Sequence, residues 1–139
     1  MAKYGSSSIV VAFDDSGGSP QTMTQYVTEI NEVSVESLME ESHSFGDSWF
    51  EALPVGIRKM EPITLSGWFD DTSTTGPDAI FNAPAATVAT STRTLTITWG
   101  GTKTTSVECY IKKYTRQATR NQLTKYTVEL QPTGTVTEA

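Results

Sequence analysis

Short runs in which apolar and polar residues alternate dominate this chain, and a period of two marks strands with one buried face. The clearest run is 92–99, where Leu95, Ile97 and Trp99 fall on one side and Thr94, Thr96 and Thr98 on the other. Gly100-Gly101 follows and predicts a hairpin turn. The next run, 107–114, sets Val107, Cys109 and Ile111 against Glu108, Tyr110 and Lys112. In 124–130, Tyr126, Val128 and Leu130 alternate with Lys125, Thr127 and Glu129, and a last short strand is expected over 133–137. In 62–69, Ile63, Leu65 and Phe69 oppose Thr64, Ser66 and Trp68. The run 6–13 reads as a nearly continuous apolar strand, and 23–35 as a turn and then a strand ending near Val35.

Two segments have helical spacing instead. In 44–53, Phe45, Trp49, Phe50 and Leu53 would share a helix face. Ser44 is a candidate N-cap with Asp47 three residues on, and Pro54 would stop the helix. The second helix is expected at 77–81, with Pro77 in its first turn and Asp78 near its positive end. Residues 37–60 then form a long connection between two strands. Turn-forming residues cluster at 16–20 and 70–76, and no internal repeat or heptad pattern appears. Six or more short strands with few helices predict a mainly all-β domain, a β-sandwich or barrel with one or two short flanking helices. A length of 139 residues fits one domain spanning 1–139.

Charge adds an asymmetry. The net charge is −6, yet residues 1–80 carry thirteen acids against three bases, and residues 81–139 carry three acids against seven bases. Such polarity either cancels within the fold or serves two faces that attract copies of the same protein. A net acidic chain is a poor tight binder of nucleic acid, because phosphate affinity rests on Lys and Arg. The longest apolar run, Ile9-Val10-Val11-Ala12-Phe13, is too short to span a bilayer as a helix, and nothing at the N-terminus has the apolar stretch of a secretory signal. One cysteine, Cys109, allows no intrachain disulfide.

Catalytic chemistry is sparse. The single histidine, His43, sits in an acidic stretch and reads as a solvated loop residue. One His and one Cys cannot make a four-ligand zinc site. Cys109 alternates with Val107 and Ile111, which predicts a small buried side chain. The pairs Asp14-Asp15 and Asp70-Asp71 could bind Ca²⁺ or perform acid–base hydrolysis, but each follows a strand ending in Phe, where Asp usually builds a turn. No catalytic residue, metal site or cofactor is therefore expected. The aromatic residues of 44–53 either pack a helix onto the sheet or anchor a neighbouring subunit.

Several segments together resemble the tail tube proteins (major tail proteins) of long, non-contractile bacteriophage tails. These are Tyr26-Val27-Thr28-Glu29-Ile30, then Phe45-Gly46-Asp47-Ser48-Trp49 with Leu53, then Ile63-Thr64-Leu65-Ser66-Gly67-Trp68-Phe69-Asp70-Asp71, then Pro77-Asp78-Ala79-Ile80-Phe81, and finally Val128-Glu129-Leu130-Gln131-Pro132-Thr133-Gly134. The likeness spans 24–137 and rests on the order of elements more than on any one motif. It implies a virion tail protein, assembled in the host cytoplasm, that forms stacked six-fold rings conducting DNA without holding it. It also implies other tail proteins as partners: tape measure, terminator and distal tail proteins. Within that reading the segment 37–60 is the expected subunit contact. Glu40, Glu41, Phe45, Asp47, Trp49, Phe50 and Arg58 lie in it, and Lys103, Arg116 and Arg120 in the second half could meet its acids. Competing readings are another ring component (terminator, connector or decoration protein) and a carbohydrate-binding module that stacks sugars on Trp68 or Trp99.

Overall fold

The alternation of 92–99 becomes a strand that buries Leu95 and Ile97, and Gly101 closes the hairpin that follows with a left-handed φ of 57°. The computed structural model describes residues 3, 5–15, 18–42, 44–73, 75–81 and 92–139. Within them lie β1 (Val10–Asp14), β2 (Pro20–Thr22), β3 (Glu29–Ile30), β4 (Val35–Glu41), β5 (Ala52–Met60), β6 (Ile63–Trp68), α1 (Pro77–Phe81), β7 (Arg93–Gly100), β8 (Lys103–Gln117) and β9 (Lys125–Glu138). Seven strands form one antiparallel sheet in the order β2-β1-β7-β8-β9-β6-β3, and β4 and β5 pair only with each other. The all-β expectation is met in its barrel-like form, a single sheet curled into a half-barrel.

The curl has a local cause. β8 and β9 are the longest strands, 15 and 14 residues, and their register shifts between Ile111 and Lys113 and again between Ser106 and Glu108. At the second shift Gly134 adopts φ 77°, which a side-chain-bearing residue rarely does. Bulges of this kind bend a strand and raise its twist, so two long strands with two bulges coil the sheet around its inner face.

That inner face is filled by α1. Ile80 and Phe81 are fully buried, with the Phe81 ring 5.2 Å from Phe13, 5.8 Å from Tyr126 and 6.5 Å from Tyr114. Polar contacts fix the helix in place. Arg93 Nη1 donates to the Ile80 carbonyl at 2.7 Å, and the Tyr114 hydroxyl donates to Asp78 Oδ1 at 3.1 Å. Asp78, expected to act on the helix dipole, thus also ties the helix to β8.

A second clamp joins the short 3₁₀ turn Thr24–Tyr26 to β6 and β9. The Tyr126 hydroxyl donates to the Tyr26 carbonyl at 2.7 Å. The backbone at Tyr26 passes so close to Gly67 that a Cβ there would meet the Tyr26 carbonyl oxygen at 1.8 Å. The glycine of the Ser66-Gly67-Trp68 motif is required by this approach.

Several sequence expectations are revised. β1 begins at Val10, preceded by a 3₁₀ turn at Ser6–Ser8, where consecutive serines compete with a strand ladder for backbone hydrogen bonds. The runs 124–130 and 133–137 are one strand, β9, carried through Pro132 and the Gly134 bulge. The helix at Pro77–Phe81 has the expected bounds. The helix expected over 44–53 does not form, because the spacing that suggested it has no surface to pack against. Pro54 lies inside β5, opposite Met39.

Gly67→Ala is expected to cost about 3 kcal/mol, the range of severe overpacking against backbone, and Tyr126→Phe about 1 kcal/mol through its lost hydrogen bond; urea unfolding with unchanged slope is the measurement. Burial raises the phenol pKa of Tyr126 and, with help from the Asp78 charge, that of Tyr114. Both phenols therefore ionise more readily in the unfolded chain. Their contribution is intact below the ordinary tyrosine value of 10.0 and is lost as pH rises through and beyond it. Melting curves between pH 8 and pH 11 should show this fall, and it should shrink in the Tyr126→Phe variant.

Candidate subunit interface

The segment 37–60, expected as a loop, is a hairpin arm continuous with the sheet. β3 and β6 pair at Glu29↔Ser66 and Ile30↔Leu65, and the same register resumes at Val35↔Met60, Glu36↔Lys59 and Ser37↔Arg58. Between these pairs Asn31 N donates to Thr64 O at 3.0 Å and Glu61 N to Ser34 O at 3.3 Å, so the ladder is barely interrupted. Beyond Ser37 the register shifts and Gly56 takes φ 88°. Pairing then runs on through Met39↔Pro54 to Glu41↔Ala52, and Ser42 N donates to Glu51 O at 2.7 Å. At the tip Asp47 Oδ2 accepts from Ser44 N at 2.6 Å while Asp47 N donates to Ser44 O at 3.0 Å. Of the Ser44/Asp47 cap expected for a helix, the bond from Ser44 N to the Asp47 carboxylate exists, but Asp47 N donates to the Ser44 backbone carbonyl and the pair closes a turn.

The arm buries little of what it carries. Trp49 is 87 % exposed, and Phe45 is more exposed still. Phe50, Leu53, Val55, Ile57, Val35 and Met39 are exposed as well. An isolated two-stranded hairpin is marginal in water, and large apolar side chains exposed on both of its faces, Met39 with Pro54 on one and Leu53 with Glu40 on the other, make it a candidate interaction surface. Among the described residues β4 and β5 pair only with each other, and an unpaired outer edge is a template for pairing with another chain. At the arm's root, Val35, Arg58 and Met60 line a groove of about 430 Å³ against Gly134 and Val136 of β9.

The expected contact residues are distributed as follows. Glu40 and Glu41 end β4, opposite Leu53 and Ala52. Phe45 and Asp47 are in the tip, Trp49 and Phe50 on the return, and Arg58 in β5 opposite Ser37. The structure brings these seven onto one arm. The three bases of the second half are not together. Lys103 opens β8 near the arm's root, whereas Arg116 and Arg120 lie at the far end of that strand, roughly 40 Å away at strand rise. Arg116 is also engaged within the subunit, 3.8 Å from Asp78 and over the Tyr114 ring. Sequence reading missed Val35, Met39, Val55 and Ile57. The strand alternation Leu53-x-Val55-x-Ile57 was the available signal.

Other candidate residues take structural roles. Asp15 Oδ1 accepts from Ser19 N at 3.0 Å and Asp14 Oδ2 from Thr94 N at 3.3 Å. Asp70 Oδ1 accepts from Thr72 N at 2.7 Å and from the Thr72 hydroxyl, and these bonds hold its carboxyl below the usual range. Asp14, Asp15 and Asp70 thus take strand-end and turn roles, and Asp71 is exposed. Cys109 is buried in β8, and burial, aided by Glu108, pushes its thiol up to about 12. Trp99 is half-buried against the core and donates through Nε1 to Thr105 Oγ1 at 2.8 Å. Trp68 lies 42 % exposed with Lys125 Nζ 5.5 Å from its ring centre. His43 lies outside the described residues.

No family model and no curated protein sequence matches the chain. Solved structures do. A chain of the anti-feeding prophage baseplate, 6-fold symmetrised, superimposes with TM-score 0.78 at 14 % identity over 100 % of this chain and 97 % of that one. A chain of the tail of an empty gene transfer agent particle, C6 symmetry, gives 0.75 at 13 % identity over 99 % of both. A chain of the PVC extracellular contractile injection system, in its sheath/tube terminator, gives 0.74 at 12 % identity over 100 % and 98 %. At such identities the likeness defines the fold: this chain is built, end to end, like subunits of tail-like particles. Contractile systems stand among them, so the fold reaches beyond the long non-contractile tails to which the sequence resemblance pointed.

With Asp15 and Asp70 committed to their own turns, melting temperatures with and without excess EDTA should coincide. A drop of several degrees that Ca²⁺ restores would overturn the turn assignment.

Proposed function

We propose that the chain is a structural subunit of the tube of a tail-like particle, that its copies form rings which stack, and that the β4–β5 arm is a principal contact between copies. The observation that carries this reading is the arm itself: a ladder continuous with the body sheet, bearing aromatic and aliphatic side chains exposed to solvent, on a fold shared along its whole length with a subunit of a C6-symmetric tail. Burial of such a surface on a second copy supplies the driving force for assembly. Likeness to a subunit of a C6-symmetric tail supports six-fold closure as part of this reading, and head-to-tail contacts close into rings or extend into filaments according to their rotation. A net charge of −6 suits a channel that passes DNA without retaining it. No enzymatic role is assigned. Tape measure, distal tail and terminator proteins would be the heterologous partners.

A terminator role is the second reading, favoured by the likeness to chains of the PVC sheath/tube terminator and of the anti-feeding prophage tube-terminating cap. The two differ in growth: a tube subunit extends without limit, a terminator stops at one ring.

Negative-stain microscopy and light scattering over a range of protein concentrations should show rings and tubes of variable length. Tubes would set aside the terminator reading, single rings would favour it, and a strict monomer at high concentration in low and moderate salt would overturn both. Glu40→Lys combined with Glu41→Lys should leave the monomer's melting temperature unchanged, since exposed charges add little to stability, yet slow assembly by setting like charges across the contact. Growth at the wild-type rate with the same salt dependence would show these acids to be a solvated surface.

A further inference from the structure

We infer that the arm of one copy seats on the β8–β9 turn of a second copy, with Trp68 and Leu123 as the apolar seat and Arg120 and Lys125 as its basic rim. The inference rests on the assembly reading and names the surface that receives the arm. Its basis is topological and chemical. The arm leaves the sheet at the start of β6, whereas the turn 118–124 lies beyond the end of β6, where Trp68 pairs with Lys125 and Phe69 N donates to Thr124 O at 2.9 Å. Arm root and turn therefore stand at opposite ends of the same strand. A contact between them in one subunit is excluded by that geometry, and a contact between successive copies is the head-to-tail kind that propagates.

The two ends are also complementary. The arm's distal half carries Glu40, Glu41, Asp47 and Glu51 among its apolar side chains. The stretch 118–125 carries Arg120 and Lys125 and no acid. Leu123 is 67 % exposed there, two residues before Lys125, which overlies the exposed Trp68 ring. Of the acids near this end, Asp78 is paired with Arg116, whereas Asp70, kept ionised by its bonds from Thr72, and the exposed Asp71 retain their charges, so the basic rim is confined to Arg120 and Lys125 on the turn itself. The turn is closed by Gln122 N, which donates to Thr119 O at 3.1 Å, with Asn121 at φ 66°. An apolar centre with a charged rim is the arrangement of a specific interface. Lys103, at the arm-root end, has no part in it.

The test uses full-length chains. Ser48→Cys and Arg120→Cys variants, each folded by circular dichroism, are mixed, allowed to assemble, and oxidised with copper phenanthroline; buried Cys109 does not compete. Covalent dimers should form in the mixture and not in either variant alone, nor when Ser48→Cys is paired with Lys103→Cys. In parallel, Glu41→Lys/Glu51→Lys and Arg120→Glu/Lys125→Glu should each slow assembly about tenfold or more, and the variant combining all four changes should recover most of the rate. Assembly without the Ser48–Arg120 cross-link and without recovery would show that the turn is not the seat, while leaving the arm reading intact. Failure of the wild-type chain to assemble under any condition would remove the assembly reading and this inference with it.

Discussion

A single curled sheet has one inner face to bury, and here a helix of five residues fills it. Phe81 touches aromatic rings from β1, β8 and β9, and Arg93 and Tyr114 hold the helix at its two ends. Everything else depends on that plug. Without it the concave face would be open to water, and the bulged strands β8 and β9 would have nothing to curl around. With it in place the body is self-sufficient, and the arm can be left uncovered.

Much of this was legible along the chain. The alternations of β6, β7 and the first half of β9 named their buried residues correctly, because a half-buried strand writes its environment into every second position. Pro77–Phe81 was legible because proline, an acid and two large apolar residues fall within one short turn of helix. Bulges were not: the insertion at Lys112 and the three-residue bulge ending β9 leave no mark in an apolar count, and only Gly134 hints at the second. The arm was misread for a physical reason. Phe45, Trp49, Phe50 and Leu53 have helical spacing, and a spacing rule assumes that the subunit itself supplies the buried face. Where that face belongs to another molecule, the periodicity carries no information about local structure. The candidate residues Glu40, Glu41, Phe45, Asp47, Trp49, Phe50 and Arg58 nonetheless lie on one arm, since charge and aromaticity in one segment do not depend on knowing its conformation. Lys103 lies at the opposite end of β8 from Arg116 and Arg120, a separation that composition alone does not record.

The charge asymmetry of the chain acquires a geometric meaning from the topology. The acid-rich half contains the arm, and the base-rich half contains β8, β9 and the turn between them. Part of it is cancelled inside the subunit, as in the Lys112–Glu129 and Arg116–Asp78 contacts. At the surface the arm end carries Glu40, Glu41, Asp47 and Glu51 together with the bases Arg58, Lys59 and Lys103, and the turn end carries Arg120 and Lys125 alongside Asp70 and Asp71.

The shared register of the arm's root and β6 has a mechanical side. Tension applied to the arm runs along β6, which is held to β9 by six paired residues from Ile63↔Leu130 to Trp68↔Lys125. Antiparallel hydrogen bonds lie across the strand direction, so such a pull loads all six pairs at once in shear, and they must yield together. A loop tethered at the sheet margin would instead peel, one bond after another. A filament linked through such arms would transmit strain from one copy to the next through the stiffest direction of each sheet.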